Sequence, residues 1–556
     1  MDSTNGPDKA FLEKVSPHLG GKTYLIDPPK LSAEARMIRR LTHRNEHQLY
    51  HRKCDLTGEM IISVYSADKP FKVYKQSEWW GDRWDGLDHG REFDFNRSFF
   101  SQFAELQLEV PRMSLLQSQN ENSDYSNCVS NLKDCYLLFS SDYNRDCYYG
   151  TWMQQCTDSL DSYLIDSCEL THDSIFSNKI YGSSFVLFSS QCADSSFLMD
   201  CQNVKNSFMC TNLRNKEYCI KNEQYTKEEY EYHMSTIDLG SHEQREAFKQ
   251  EFLVMVEEAK HQYMHRNGRI EDSTGDFLMN VKDATNCFEL VEVRDAKNVH
   301  SAWQANDVQD SCYVNRELGY ENCECFPMPT RSAFNLNSYD GNDVYYSDLC
   351  MNSSYLFGCI GLKREKYCIL NKQYTQEEYE ALVPRIIEHM KSTGEWGEFF
   401  PTQLSPFAYN ETNAQDYFPL TKEESLAKDY SWKEDDESSD YQGPIYEIPD
   451  NIKDVPDNIV DKILKCEVSG KLYKIIPQEL AFYRKMGWPL SRKAPHQRYL
   501  ERIALKNPRK LWERDCLCDE VGHEHEGQCG DSFETTYSPE RAEKVYCESC
   551  YLKAIY

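Results

Sequence analysis

No stretch of the 556-residue chain approaches the ~18 consecutive apolar residues of a membrane-spanning helix, so a helical membrane span is excluded. Residues Met1 to Gly20 are polar and acidic and lack the apolar centre of a secretory signal. Leu, Ile and Val are sparse, so cores must be built from rings and thiols, and 37 Tyr, 26 Phe and 23 Cys are present to build them. Positive charge is short as well. Lys+Arg 62 against Asp+Glu 91 leaves a net charge of −29, too acidic for a chain that coats nucleic acid along its whole length. Cysteines in such number without an export signal read as a reducing, cytoplasmic compartment, with the thiols serving packing or metal. At ~100–200 residues per domain the chain should hold roughly three to five structural units.

Two internal duplications organise the chain. The segment NLRNKEYCIKNEQYTKEEYE (212–231) returns 149 residues later as GLKREKYCILNKQYTQEEYE (361–380), identical at twelve of 20 positions. The same offset carries Cys201, Cys210 and Cys219 onto Cys350, Cys359 and Cys368. Within each copy these cysteines lie nine apart, and Cys192 extends the first run. Short ring-bearing units recur upstream, led by Tyr136, Tyr148, Tyr163, Ile175, Phe185, Phe197 and Phe208, about 10 to 15 apart and bounded by Asp, Asn, Ser or Gly. Strands this short cannot bury a face alone, so they predict stacked coils of a β-solenoid with cysteine and aromatic ladders. Thr226/Glu229 and Thr375/Glu378 predict capping boxes and a helix closing each copy. Phe248, Phe252, Val256, Ala259 and Tyr263 predict one amphipathic helix from about Ser241 to Met264. The run Lys433 to Tyr441 reads as an acidic linker.

The second duplication joins the chain's two ends. Arg36 to Cys54 aligns with Arg498 to Cys516 at an offset of 462, and after an insertion Tyr65-Ser66 and Lys72-Val73-Tyr74 match Tyr537-Ser538 and Lys544-Val545-Tyr546 at 472. The C-terminal copy carries Cys516, Cys518, Cys529 and a Cys547-x-x-Cys550 pair around a short hairpin, the ligand spacing of a zinc ribbon. Alignment with the Cys54–Gly58 knuckle selects Cys516, Cys529, Cys547 and Cys550 as ligands, with Cys518, His523 and His525 as substitutes for one of them. The N-terminal copy keeps Cys54 but has Thr57, Lys75 and Glu78 in the other ligand places, and a further knuckle pairs Cys466 with Ser469. About one Zn²⁺ per chain follows. A four-ligand site leaves no open position for water, so this zinc is structural.

The expected fold is mainly β: two tandem cysteine- and aromatic-rich β-solenoid domains flanked by duplicated zinc-ribbon-like α+β modules, with helical connectors. The expected segments are a degenerate ribbon module with a basic helix (1–100), a first solenoid with capping helix (101–236), a helical connector (237–285), a second solenoid with capping helix (286–383), a helical or irregular segment with the acidic linker (384–460), and basic helices with the zinc-ribbon module (461–556).

The segments HRKCDLTGE, ISVYSADKPFKVY, LRNKEYCIKNEQYTKEEY, LFGCIGLKREKYCILNKQYT, GEWGEFFP, LSPFAYNET, CEVSGKLYKIIPQELAFYRKMGWPL, NPRKLWERDC and ETTYSPERAEKVYCESCYLKAIY cover most of the chain's distinctive sequence. In them the chain resembles an uncharacterised cysteine-rich, zinc-ribbon-bearing protein family of Candidate Phyla Radiation (Patescibacteria) bacteria. That resemblance implies terminal zinc ribbons, often with more cysteine pairs than stand here, and some members carry a CoA-transferase-like label.

Three functions compete. The first is a non-catalytic zinc-binding scaffold that presents a rigid solenoid surface to a protein partner, or to another copy of the chain in a homo-oligomer. The second is a nucleic-acid-binding protein. Arg484 to Arg514 holds ten Lys/Arg against two acidic residues, and Arg498, Arg502 and Lys506 share a helical face. Asn507-Pro508 would open a second helix bearing Arg509 and Lys510, and Arg36, Arg40 and Arg44 recur in the N-terminal copy. The opposing expectation is that these arginines pair with the chain's own acidic body. The third is an enzyme on the solenoid, carbohydrate-active through Asp142, Asp146, Asp166 or Asp173, or a CoA-transferase as the family label implies. No glycine-rich CoA-binding segment and no histidine triad is present to carry catalysis.

Overall fold

The computed structural model describes residues 6–434, 441 and 443–556, so the centre of the expected acidic linker lies outside the described residues. Strand exceeds helix, and the described chain divides into two compact units. One holds residues 1–116, 264–433 and 509–511, the other 117–263, 434–508 and 512–556. Each unit therefore combines one run of short strands with one copy of the terminal module, the N-terminal module with the second run and the C-terminal module with the first. No helix among the described residues is long and apolar enough to cross a membrane.

In the second of these units the strands pair in parallel at a step of twelve residues. Tyr163 pairs with Thr151 and Ile175, Ser196 with Ser184 and Phe208, and bridges such as Tyr136–Tyr148 and Leu160–His172 keep the same step. Every third residue turns a corner in the left-handed region, as at Asp134, Leu137, Ser140, Tyr143 and Asp146. The residue after each corner is buried, giving an inward series that includes Val129, Leu132, Cys135, Leu138, Cys147, Met153, Cys156, Ile165 and Cys168. Four three-residue sides thus make one twelve-residue circuit. The nine-residue cysteine spacing in the sequence is three sides of that circuit and not its repeat.

The three amides of a side have three different partners. The outward residue donates forward, as Tyr136 does to the Cys147 carbonyl (3.1 Å), and the corner residue donates thirteen residues back, as Tyr149 does to Tyr136 (3.0 Å). Where a serine stands one circuit back, the inward amide donates to its hydroxyl: Ser195 N–H donates to Ser183 Oγ (3.1 Å), Val186 to Ser174 (3.3 Å) and Cys219 to Ser207 (3.2 Å). Each such hydroxyl in turn donates to the carbonyl two residues earlier, as Ser183 does to Tyr181 (2.7 Å). Small hydroxyl and thiol side chains dominate the interior because a buried amide must be satisfied and little room is left to do it. Ser183→Ala leaves the Ser195 amide buried and unpaired and should cost about 1–3 kcal/mol in denaturant unfolding, whereas Lys179→Ala on the exposed corner should cost nothing measurable.

Asn and Asp tolerate the corner conformation, but Trp152, Phe176, Phe185 and Phe197 also occupy it, at a cost on the order of 1 kcal/mol each. Their rings are recovered by packing. Phe185 and Phe197 lie against Phe252 of the helix His242–Glu258, with ring centres 6.0 and 5.8 Å apart. The expected helix to Met264 stops at Glu258, because Lys260–Gln262 pairs in parallel with Lys544–Tyr546 of the C-terminal module.

The other unit repeats the triplet with Leu278, Val281, Ala284, Cys287, Leu290, Val293, Ala296, Val299 and Ala302, all buried. Its step is twelve at Phe288–His300 and Tyr339–Met351, eleven at Cys312–Cys323 and thirteen at Gly319–Ser332. Both strand runs end as the capping boxes predict, with helices Lys227–Ser235 and Gln376–Thr393 opened by Thr226/Glu229 and Thr375/Glu378.

The two terminal modules share contacts residue for residue. Hairpins Tyr50–Lys53/Met60–Ser63 and Trp512–Asp515/Ser532–Thr535 have equivalent registers, Arg52 opposite Ile61 and Arg514 opposite Phe533. Arg52 donates to the Ser66 and Phe71 carbonyls, and Arg514 to those of Ser538 and Glu543. In place of the expected second helix, Asn507 donates to Thr536 Oγ1 and accepts from Arg541, so its side chain braces the hairpin and caps no helix.

Candidate metal centre

The C-terminal hairpin and the helix Glu548–Ile555 bring Cys516, Cys529, Cys547 and Cys550 together, with all four sulfurs within 4.8 Å of one another. Each of the four is buried, and Tyr546 and Tyr551 are the largest buried rings in a core otherwise made of thiols. The Cys547 amide donates to Cys516 Sγ (3.2 Å), the contact by which a knuckle steadies a thiolate. These are the four residues expected from alignment, and they can hold a metal ion. In the N-terminal module the equivalent bond survives without the site: Lys75 N–H donates to Cys54 Sγ (3.3 Å), while Thr57 and Glu78 replace the remaining ligands. In the lone knuckle, Ser469 N–H donates to Cys466 Sγ (3.4 Å).

Cys518, His523 and His525, expected as substitutes, stand elsewhere. They form a second group with Cys550, whose ligand atoms also lie within 4.8 Å of one another. The first four are thus complete as a group without them, and the three substitutes stand beside that group through the shared Cys550.

Thiols of the first strand run serve packing. Cys156 and Cys168 donate to the carbonyls two residues earlier, taking the place of serine in the interior. Burial pushes the Cys192 thiol up to about 11 and Cys210 to about 12, so neither is a nucleophile near neutral pH.

The candidate phosphate-binding residues are turned inward, with one exception. Arg498 and Arg502 both reach Asp161, at 2.7 and 2.9 Å, and Arg498 also reaches Glu479 at 2.9 Å. Lys506 donates to Tyr163 (3.0 Å), and Arg509 pairs with Glu289 and lies over the Tyr417 ring. In the N-terminal module Arg36 reaches Asp310 (2.7 Å), Arg40 reaches Glu321 (2.8 Å) and Arg44 pairs with Glu324. These seven basic side chains are buried, and only Lys510 of the expected face is exposed. Guanidiniums enclosed with carboxylates cannot reach a phosphate backbone, so the expected nucleic-acid face is not a surface.

The pairing follows both duplications at once. Arg36 and Arg498 are equivalent at offset 462, and their partners Asp310 and Asp161 are equivalent at offset 149. One ion pair of the joint between module and strand run thus recurs in both copies.

Of the carboxylates considered for catalysis, Asp142 accepts from Ser130 (2.5 Å) and is raised by burial, and Asp146 is raised by burial and by Asp158 and Asp134. Asp166 accepts from the neighbouring Ser167 hydroxyl (3.0 Å). Asp173 lines a cavity of about 70 Å³ with His172, Arg245 and Lys249, room for a few waters and not for a sugar ring. Burial opposes its ionisation, but Lys249, His172 and Arg502 outweigh it and hold Asp173 at about 2. Burial likewise drives His172 well below its usual range, and the ring packs on Trp488 at 5.4 Å.

No protein-family model matches the chain, and no curated protein matches it. Its chemistry has to be read from the residues themselves.

What sequence reasoning missed is the triplet. Its signal was present as an unbroken series of small or aliphatic residues at every third position, from Leu278 to Val314 in the cleanest stretch, where no ring stands at an inward place.

Proposed function

We propose that the chain is a non-catalytic, zinc-binding interaction scaffold in which two β-solenoids, each clasped by a ribbon-like module, present rigid outer faces to a protein partner. The division of the coils carries the reading. Thiols and serines fill the interior, the arginines are closed off with internal carboxylates, and the chemistry left accessible is the exposed polar columns. Arg145, Glu169, Tyr181, Lys205 and Glu217 stand twelve or twenty-four residues apart on one side, and Tyr143, Gln155, Lys179, Gln191 and Asn203 on the next. Zinc is the metal we assign to the Cys₄ group, since four soft thiolates in a closed site suit it and leave no position for a reacting water.

Two measurements test this. The wild-type chain should show no salt-dependent affinity for labelled RNA or DNA, because a net charge of −29 repels phosphate and the arginines are enclosed. The triple variant Arg145→Glu/Lys179→Glu/Lys205→Glu should keep the wild-type melting temperature and lose the protein partners that cross-link to wild type. Steeply salt-dependent nucleic-acid binding, or an unchanged partner set in the triple variant, contradicts the reading.

A further inference from the structure

The seven potential ligands around Cys550 are more than one tetrahedral ion can use. Cys516, Cys529, Cys547 and Cys550 complete one set of four, and Cys518, His523, His525 and Cys550 complete another. We infer that the C-terminal module holds two metal ions of the zinc class, bridged by the Cys550 thiolate. This rests on the zinc-binding reading above and goes beyond its single ion.

The second set has the geometry of a site and not of a chance cluster. His523 Nδ1 lies 3.2 Å from Cys518 Sγ, and His525 Nε2 lies 3.4 Å from Cys550 Sγ. A tetrahedral ion with Zn–N near 2.0 Å and Zn–S near 2.3 Å has an N–S edge of about 3.5 Å. In His525 the other nitrogen is already engaged. His525 Nδ1 lies 2.8 Å from the Gly527 carbonyl, which can only accept, so that nitrogen carries the proton and Nε2 is left as a lone pair toward the thiols. His523 Nε2 faces the Glu520 carboxylate at 3.7 Å, beyond a hydrogen bond, on the side of the ring away from Cys518. Glu520 is itself held by Lys260 (2.7 Å) and by the Tyr546 hydroxyl (3.2 Å). A carbonyl that fixes the tautomer of His525 and a carboxylate close behind His523 are outer supports of the kind a metal-binding imidazole ordinarily has.

Charge favours the pair over a single ion. One divalent ion among four thiolates leaves two net negative charges and a fifth thiol, Cys518, buried beside them. Two divalent ions among five thiolates and two neutral imidazoles leave one. The bridge lets Cys550, at the start of its helix, serve both ions with a single side chain.

The test is metal content by elemental analysis and native mass spectrometry of the intact full-length chain purified with zinc. Two zinc ions per chain are expected in wild type, falling to one in His523→Ala/His525→Ala. One zinc in wild type overturns the second site and leaves the single-zinc reading standing, while none overturns both. Two zinc ions retained in the double variant also overturn the assignment. Should that variant fail to fold, ¹¹³Cd substitution of wild type decides. Two resonances split by mutual coupling through the shared sulfur are expected, and a single resonance or two uncoupled ones contradict the bridge.

Discussion

Asp161→Ala should lower stability to denaturant by about 3–5 kcal/mol, more than the 1–3 kcal/mol expected of an interior serine, although Asp161 is one short side chain at a turn. The carboxylate is 1% exposed and touches both Arg498 and Arg502, so its removal leaves two buried guanidiniums with Glu479 as the nearest remaining partner of one and Asp173, 3.8 Å away, of the other. The cost is that of enclosed charge and not of a lost attraction. Replacing the three groups together, Asp161→Leu with Arg498→Met and Arg502→Met, should therefore restore most of the loss, since a packed apolar cluster often equals a buried ion pair. Asp310→Ala, the equivalent change opposite Arg36, should behave in the same way. If either single substitution proves neutral, the arginines are solvated and the enclosed-joint account fails.

Metal removal should act on one module and on a larger scale. The C-terminal hairpin and its last helix share a core of five cysteines with Tyr546 and Tyr551, flanked by Phe533, Ala554 and Ile555, too little apolar surface to fold a segment this short without help. Structural zinc in such modules supplies on the order of 10 kcal/mol of folding free energy at neutral pH. Chelation, or Cys529→Ser, should unfold residues 512–556 while the N-terminal module stays folded, because there Thr57, Lys75 and Glu78 already replace the ligands and Leu49, Ile61, Tyr65, Phe71 and Phe407 supply the core. On the proposed reading the two copies of one module solve the same problem differently, one through an ion and one through rings. Circular dichroism with thermal melts on the chelated chain would show a partial loss and not a collapse.

Much of this was readable beforehand. Both duplications, the four clustered thiols and the two capping boxes stand in the sequence at fixed offsets, and each corresponds to a contact in the structure. The circuit length did not emerge from the rings, because Phe185, Phe197 and Phe208 lie on outer sides or corners and pack against Phe248 and Phe252 of a following helix, so their spacing mixes coil geometry with helix geometry. In residues 129–219 the inward places mix Leu, Ile, Met and Val with many Ser and Cys, and the Ser and Cys interrupt any apolar periodicity of three. The direction of the arginines was equally hidden. Arg36, Arg40 and Arg498, Arg502 repeat every four residues whether they face water or carboxylates, and their partners lie 274 residues away for Arg36 and 341 for Arg502. The acidic balance of the chain pointed to internal partners, but which carboxylates they are, Asp310 for Arg36 and Asp161 for Arg498, came only from the structure.

Hydrogen exchange read by mass spectrometry, with and without chelator, tests the central claim most directly. The account predicts that chelation releases protection in residues 512–556 and in the paired strand Lys260–Gln262, while the amides of residues 129–219 and 275–371 stay protected by bonds that involve no metal. Protection lost throughout both strand runs would contradict it, because the metal would then hold together the coils themselves and the interior network of serines and thiols would not be what sustains them.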